Sequence, residues 1–284
     1  MLEELRVTVT RQAPHLSRLL AVFAQEARFG RTWLDTSLAK LRKGDSVLEI
    51  GAGLMLLSCQ LKKEGYDVTA LEPLSAEFSH FSELQCLVLQ FAADRAIAPR
   101  VLRVPVEDLH DQAAFGLAFS VNVMEHVASV PSALKNAGRA IRPGAQYRFI
   151  CPNYLFPYEP HFEIPTLFSK ALTERVLGRW IRQNREVADP VGTWRSLNWI
   201  TVSAILRAVR LMPGFSISFG RTMFRIALER AIHDREFAAR RAGWVRFVAG
   251  GMVRLGLHRI TEYLPPHVHP IIDCTLTRSD FSAA

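Results

Sequence analysis

The 284-residue chain is 49% hydrophobic and 22% charged, a balance that excludes a disordered polypeptide and suits one large α/β domain or a core domain with a substantial addition. No apolar run approaches the ~18–20 residues of a bilayer-spanning helix, and Met1-Leu-Glu-Glu-Leu5 lacks the basic start and apolar stretch of a secretory leader. Nearly all of the formal charge of +8 lies in the C-terminal half, where residues 151–284 carry 18 Lys/Arg against 11 Asp/Glu. Such an excess suits an anionic partner, or simply arginines on solvated helix faces.

Cys59, Cys86, Cys151 and Cys274 are scattered through apolar surroundings with no paired spacing, and read as buried free thiols in a reducing compartment. The expected location is the cytoplasm, with peripheral contact to a membrane left open.

In chain order, the first element is an amphipathic helix over 14–28, with Leu16, Leu19, Leu20 and Phe23 at helical spacing. From about residue 45 the pattern changes to short β-rich runs separated by helices. The strands are Ser46–Ile50, Val68–Leu71, Val101–Val104, Leu117–Val121 and Tyr147–Cys151; the helices fall at about 54–64, 76–95 and 130–142, the last closed by Arg142-Pro143-Gly144. Apolar strands alternating with helices predict a parallel sheet covered on both faces. Beyond it, Pro152, Pro157, Pro160 and Pro165 puncture an aromatic loop. Arg-rich helices follow at about 166–186, 200–211 and 221–257, and an alternating run at 270–277 reads as a strand returning to the sheet. The expected organisation is a helical lead-in over 1–44, a core over 45–155, and a helical segment over 156–284 whose last strand rejoins the core.

The chemistry is carried by Val47-Leu-Glu-Ile-Gly51-Ala-Gly53, a strand ending in a G-x-G turn that opens a helix. Glycines let the backbone pass close to a ligand, and the helix start offers it free N–H groups. Leu71-Glu72-Pro73 ends the next strand, where a carboxylate can accept both hydroxyls of a ribose. A nicotinamide dinucleotide and S-adenosylmethionine compete for this pair. The dinucleotide fingerprint wants a glycine at position 56, which is Leu56, and Glu49 suits an amino-bearing ligand better than a pyrophosphate.

These pieces, with Val106-Glu-Asp-Leu109, Phe119-Ser-Val-Asn-Val-Met-Glu-His-Val127 and Ala140-Ile-Arg-Pro-Gly144, resemble in order and spacing the class I S-adenosylmethionine-dependent methyltransferase family, in its small-molecule branch. The resemblance covers about residues 45–155. It implies a Rossmann-like, mostly parallel seven-stranded sheet with an antiparallel last hairpin, helices on both faces and a helical C-terminal cap, with S-adenosylmethionine over the G-x-G turn. It further assigns Glu49, Gly51, Ala52 and Gly53 to the methionine end and backbone contacts, and Glu72 with Pro73 to the ribose. Glu107 or Asp108 falls to the adenine amino group, and Asn122 to the strand exit beside the cofactor. One departure is Met55, where the family often carries a further glycine.

Some members of the family hold a divalent metal with Glu-x-x-Glu-His at the fourth strand's exit. Here that segment is Asn122-Val-Met-Glu125-His126, with an amide in place of the first carboxylate, so no metal is expected. His126 is a candidate general base beside Glu125, since a neutral imidazole is available at pH 7; a histidine bonded into a helix start is the structural alternative. His161, in Tyr158-Glu-Pro-His-Phe-Glu163, is a second candidate, with Tyr154, Phe156 and Tyr158 as an apolar wall for an acceptor or as ordinary loop packing.

Methyl transfer is an in-line displacement that needs a base only for a hydroxyl acceptor, and the Asn/Asp-Pro-Pro-Tyr signature of amino methylation is absent. The expected acceptor is therefore a hydroxyl of a small molecule, glycan or lipid-like compound. The C-terminal segment caps that acceptor, meets a membrane around Trp244–Val248 and Met252–Leu257, or binds nucleic acid; no zinc spacing or nucleic-acid module supports the last. The rivals are a non-catalytic relative that keeps the pocket, an RNA or amino methyltransferase, and an oxidoreductase, for which no Tyr-x-x-x-Lys is visible.

Overall fold

The computed structural model describes residues 1–73, 80–185, 187 and 189–280. The start of the helix expected over 76–95, and residue 186 at the end of the one expected over 166–186, lie outside the described residues.

Two helices precede the first strand, α1 (Leu2–Gln12) and α2 (Ser17–Trp33), followed by a short turn of helix, α3 (Asp35–Leu38). Leu5 and Val9 lie one turn apart on α1, and Leu20, Ala24 and Ala27 repeat at helical spacing on α2. These faces are buried in one core with Val47, Val68, Leu117 and Phe119. The lead-in is therefore part of the core, not a tail.

The alternating region comprises β1 (Ser46–Ile50), α4 (Leu56–Lys63), β2 (Asp67–Leu71), α5 (His80–Ala93), β3 (Arg100–Leu102), β4 (Phe115–Val121), α6 (Val130–Ala140) and β5 (Ile141–Pro152). Strand β1 is buried from Val47 to Ile50 and pairs in parallel with β2 and β4, and β2 in turn with β3. Helix α6 stops at Ala140, earlier than the expected end at 142. Its last carbonyls, on Arg139 and Ala140, accept the amides of Ala113 and Ala114, and β5 begins at once. Pro143, which cannot donate to a ladder, sits in the exposed first turn of that strand.

The remainder contains α7 (Lys170–Arg182), α8 (Pro190–Ser196), α9 (Val202–Arg210), β6 (Phe215–Phe219), α10 (Met223–His233), α11 (Arg235–Ala239), α12 (Gly243–Arg254) and β7 (Ile271–Arg278). Ser169, Asp189 and Thr201 cap α7, α8 and α9, each side chain accepting a backbone N–H two or three residues into the helix. The single helix expected over 221–257 is three. Asp234 turns out of the helical region and accepts the Phe237 amide, ending α10 and starting α11, and α12 follows a second break at Ala242.

Strand order is β3-β2-β1-β4-β5-β7-β6, with β6 and β7 antiparallel. This is a Rossmann-like, mostly parallel seven-stranded sheet with helices around it. The described chain divides into two compact units, Met1–Val121 with Asn136–Tyr147, and Asn122–Lys135 with the described residues from Arg148 onward. All four cysteines are free, but Cys86 is exposed, contrary to expectation. On α5, Leu84, Val88 and Phe91 take the inward face and turn Cys86 outward.

Candidate active site

In the first unit, the chain leaves β1 through Gly51 at φ 70° and Gly53 at φ 52°, backbone angles that side chains with a Cβ rarely adopt. The amides of Gly51 and Ala52 both donate to the Leu71 carbonyl, at 2.7 and 3.1 Å, tying the turn to the end of β2. The Gly53 amide donates to Glu72 Oε2 at 2.7 Å, and its carbonyl accepts from Gln85 Nε2 at 2.6 Å. Gln85 is itself held by the Arg103 guanidinium at 3.1 Å. Met55 takes the left-handed φ of 60° that a glycine would adopt freely, with its side chain fully buried. The departure seen in sequence thus leaves the glycine-like backbone in place.

Glu49 is buried and accepts the Ser58 hydroxyl. Burial, partly offset by Ser58 and reinforced by the charge of Glu72, pushes its pKa up to about 8, so it holds its proton at neutral pH. Glu72, half-buried, is also raised by burial against the pull of the Gly53 amide and Arg103. Its Oε1 has no hydrogen-bond partner among the described residues. An open carboxylate oxygen and a buried carboxyl group lacking a cation are what a ligand with a diol and an ammonium group satisfies, so these residues fit S-adenosylmethionine. Ala52 is buried, and Pro73 is exposed. Glu107 is half-buried and Asp108 exposed in a 3₁₀ turn, Val106–Asp108, whose Val106 and Glu107 carbonyls accept from Asn136 Nδ2 at 3.2 and 2.6 Å.

In the second unit, Asn122 takes a left-handed φ of 55°, its amide donating to Ile150 O at 2.8 Å. The turn that follows is clamped by Asn198, whose Nδ2 donates to the Met124 and Val127 carbonyls at 2.7 and 2.9 Å and whose amide donates to Glu125 O at 2.8 Å. This clamp fixes Glu125 and His126. Glu125 is fully buried, and neither carboxyl oxygen has a hydrogen-bond partner among the described residues. Burial raises its pKa to about 7, tempered by His161.

His126 Nδ1 lies 2.8 Å from the Ser196 hydroxyl, and its ring meets that of His161 edge-on at 5.2 Å. Burial and the neighbouring His161 lower His126 to about 4, so it is neutral at pH 7. His161 differs. Burial opposes its charged form, but Glu159, with Oε1 2.6 Å from His161 Nδ1, raises its pKa above the ordinary value, helped by Glu125. Glu159 is fully buried and also accepts the Phe162 amide at 2.7 Å and the Tyr154 hydroxyl at 3.3 Å. Ligand atoms of Glu125, His126 and His161 all lie within 4.8 Å of one another, a set able to hold a cation. The structure therefore gathers the three expected catalytic residues.

Of the expected aromatic wall, Tyr154 is buried and stacks on Trp199 at 4.4 Å, while Phe156 and Tyr158 meet Phe224 and Trp244 edge-on. Sequence reasoning missed Glu159, Ser196 and Asn198. A carboxylate two residues before His161, across Pro160, was the one available signal.

Residues 22–208 match the family described as the methyltransferase domain. The chain belongs to that family, and it is an S-adenosylmethionine-dependent methyltransferase. It is 44% identical over 277 residues to the uncharacterized protein Rv1509 of Mycobacterium tuberculosis, covering 98% of this chain and 94% of that one. It is 27% identical over 208 residues to the ubiquinone biosynthesis O-methyltransferase of Paramagnetospirillum magneticum, 65% of this chain and 78% of that one. Among solved structures, geranyl diphosphate C-methyltransferase from Streptomyces coelicolor, in complex with Mg2+, geranyl diphosphate and S-adenosyl-L-homocysteine, is similar with a TM-score of 0.52 and 13% identity, covering 94% of this chain and 84% of that one. Haemonchus contortus phosphoethanolamine N-methyltransferase 2, in complex with S-adenosyl-L-methionine, gives a TM-score of 0.51 at 13% identity over 96% of this chain. This chain spans 58% of that structure's length. The oxidoreductase and scaffold alternatives give way to the enzyme.

Proposed function

We propose that the enzyme methylates a hydroxyl group of a small, glycan or lipid-like acceptor, with His161 as the general base. The observation that carries this reading is the Glu159–His161 pair, in which a fully buried carboxylate lies 2.6 Å, Oε1 to Nδ1, from a half-buried imidazole. The carboxylate orients the ring, leaves Nε2 as the proton-accepting atom, and stabilises the imidazolium formed when the acceptor hydroxyl is deprotonated. His126, neutral and bonded to Ser196, positions the acceptor as a polar neighbour that does not compete for the proton. Tyr154, its hydroxyl pKa raised by burial and by Glu159, stays a neutral donor to Glu159.

Glu49, Gly51, Ala52, Gly53 and Glu72 would hold the cofactor, with Glu107 or Asp108 at the adenine. Bound S-adenosylmethionine supplies a methyl group already activated by a sulfonium, so the protein's own work is alignment, exclusion of water and removal of one proton. An oxygen acceptor agrees with the activity named for the Paramagnetospirillum relative.

The test is a screen of phenolic, glycan and lipid-like alcohols with methyl-labelled cofactor, repeated on His161→Gln. Labelled methyl ethers made by the native protein and lost in the variant, with cofactor affinity retained, support the reading. Transfer only to amines or carbon would overturn it.

A second reading is favoured by the unpartnered, fully buried Glu125: a divalent cation held by Glu125, His126 and His161, which would polarise the acceptor oxygen. A chelator separates the two readings, because proton abstraction by His161 survives its addition and cation-assisted transfer does not.

A further inference from the structure

We propose that the face formed by α12 and the 3₁₀ segment after it, Leu257–Tyr263, docks on an anionic membrane surface. The proposal is independent of the identity of the acceptor.

Along α12 and its capping residue, Trp244, Phe247, Val248 and Leu255 fall on one side, at i, i+3, i+4 and i+11. On a helix lying over a core, such a stripe points inward. Here it points out: Phe247 is 83% and Leu255 73% exposed, whereas Ala249, on the opposite side, is buried against Leu228 and Ala231 of α10. Gly256, at φ 72°, then turns the chain into the 3₁₀ segment. Its three-residue period puts Leu257, Ile260 and Tyr263 in register along one edge, and that edge is exposed as well, Tyr263 by 82%. The two stripes come from consecutive elements that pack on each other. A water-soluble monomer rarely presents such a ridge without a partner for it.

The charges identify the partner. Arg254 and Arg259 are exposed and make no ion pair among the described residues. The acid within the 3₁₀ segment, Glu262, is already taken by Arg225. Large apolar side chains bordered by uncompensated guanidinium groups match the boundary between headgroups and acyl chains of a lipid leaflet with phosphate-bearing, negatively charged headgroups. Trp244 and Tyr263 suit that boundary, since each has an apolar body and a polar tip. A second copy of this chain fits less well, because a two-fold contact on this ridge would set its arginines against their own copies. Spanning is not available to α12. It has 12 residues, and no helix among the described residues is long and apolar enough to cross a bilayer.

The experiment is co-sedimentation of the full chain with vesicles of phosphatidylcholine alone and of equal parts phosphatidylcholine and phosphatidylglycerol. Three variants accompany it: Phe247→Ser with Leu255→Ser, Arg254→Glu with Arg259→Glu, and Trp244→Phe. Their fold is checked by retained binding of S-adenosylhomocysteine. The expected result is binding to the phosphatidylglycerol vesicles only, weakened by salt. The apolar double variant should lose at least tenfold in affinity, and the charge-reversed arginine variant should lose more than about fivefold for each guanidinium replaced. Vesicles carrying brominated acyl chains should quench part of the tryptophan emission in the native chain, and that part should disappear in Trp244→Phe. Equal binding to neutral vesicles, no binding by the folded native chain, or binding untouched by either double variant would overturn the proposal. So would a concentration-dependent dimer abolished by the same substitutions.

Discussion

The Gly53 amide donates to Glu72 Oε2 at 2.7 Å, so the glycine turn and the acid at the end of the neighbouring strand are tied before any ligand arrives. One carboxylate oxygen orders the loop and the other has no partner among the described residues. Glu72→Ala should therefore weaken S-adenosylmethionine by about 10–100-fold, the worth of losing hydrogen bonds to a charged group. Glu72→Gln, which can still accept from Gly53, should lose less. Calorimetric titration of both variants checks this, and equal losses would show that loop order is not part of the effect.

As the proposed partner of the cofactor's ammonium group, Glu49 should couple binding to pH. Its folded pKa of about 8 lies above the ordinary carboxylate value, so the native protein without ligand binds a proton here that the unfolded chain has released by pH 6. The associated stability is present at acidic pH and is lost as pH rises through about 8. An ammonium group beside Glu49 would favour its charged form, so binding near pH 7 should release a proton. Binding enthalpies measured in buffers of different ionisation heat should differ in the native chain and converge in Glu49→Gln. A buffer-independent enthalpy in the native chain would rule this coupling out.

The Glu159–His161 pair predicts a defined pH profile. As the proposed base, His161 would have to be deprotonated to act, so kcat/KM should climb as pH rises through its raised pKa. Removing the cause of the rise in Glu159→Gln should move that acid limb to lower pH while lowering the plateau. His161→Gln should cost about 10²–10⁴-fold, the usual range for a lost general base. Unchanged limbs in Glu159→Gln would assign the titration to another group.

Much of the architecture was legible in the chain. Strands β1, β2 and β4 are buried along most of their length and read as short apolar runs closed by turns. The edge strand β6 was not read from its residues, because its positions are only half-buried or exposed, and it is specified by pairing with β7. The break at Asp234 was missed for a different reason: an acid inside an Arg- and Ala-rich run caps a helix only if the backbone turns there, and tertiary packing decides that. At the site, Glu49, Gly51, Gly53 and Glu72 stand in a local order that spacing reveals. Gln85 reaches Gly53 from 32 residues away and Ser196 reaches His126 from 70, distances over which no periodicity carries information.

Gly220 offers a test of packing away from the chemistry. A Cβ built there would lie 2.2 Å from Asp273 Oδ2, and Asp273 is buried and paired with Arg148 at 3.4 Å. Gly220→Ala must displace that short, anchored carboxylate and should cost about 1–3 kcal/mol of stability. A thermal melt reads the loss, and an unchanged midpoint would mean that Asp273 swings aside freely.

The burial of α1 and α2 has a temporal side. Leu5, Val9, Leu16 and Leu20 share their core with Leu117 and Phe119, roughly a hundred residues later in the chain. At a synthesis rate of about 5–20 residues per second, these two helices leave the ribosome roughly 5–20 s before the strand that covers them. During that interval their apolar faces are open to the translation machinery and its chaperones, so these helices depend on escort until β4 is made.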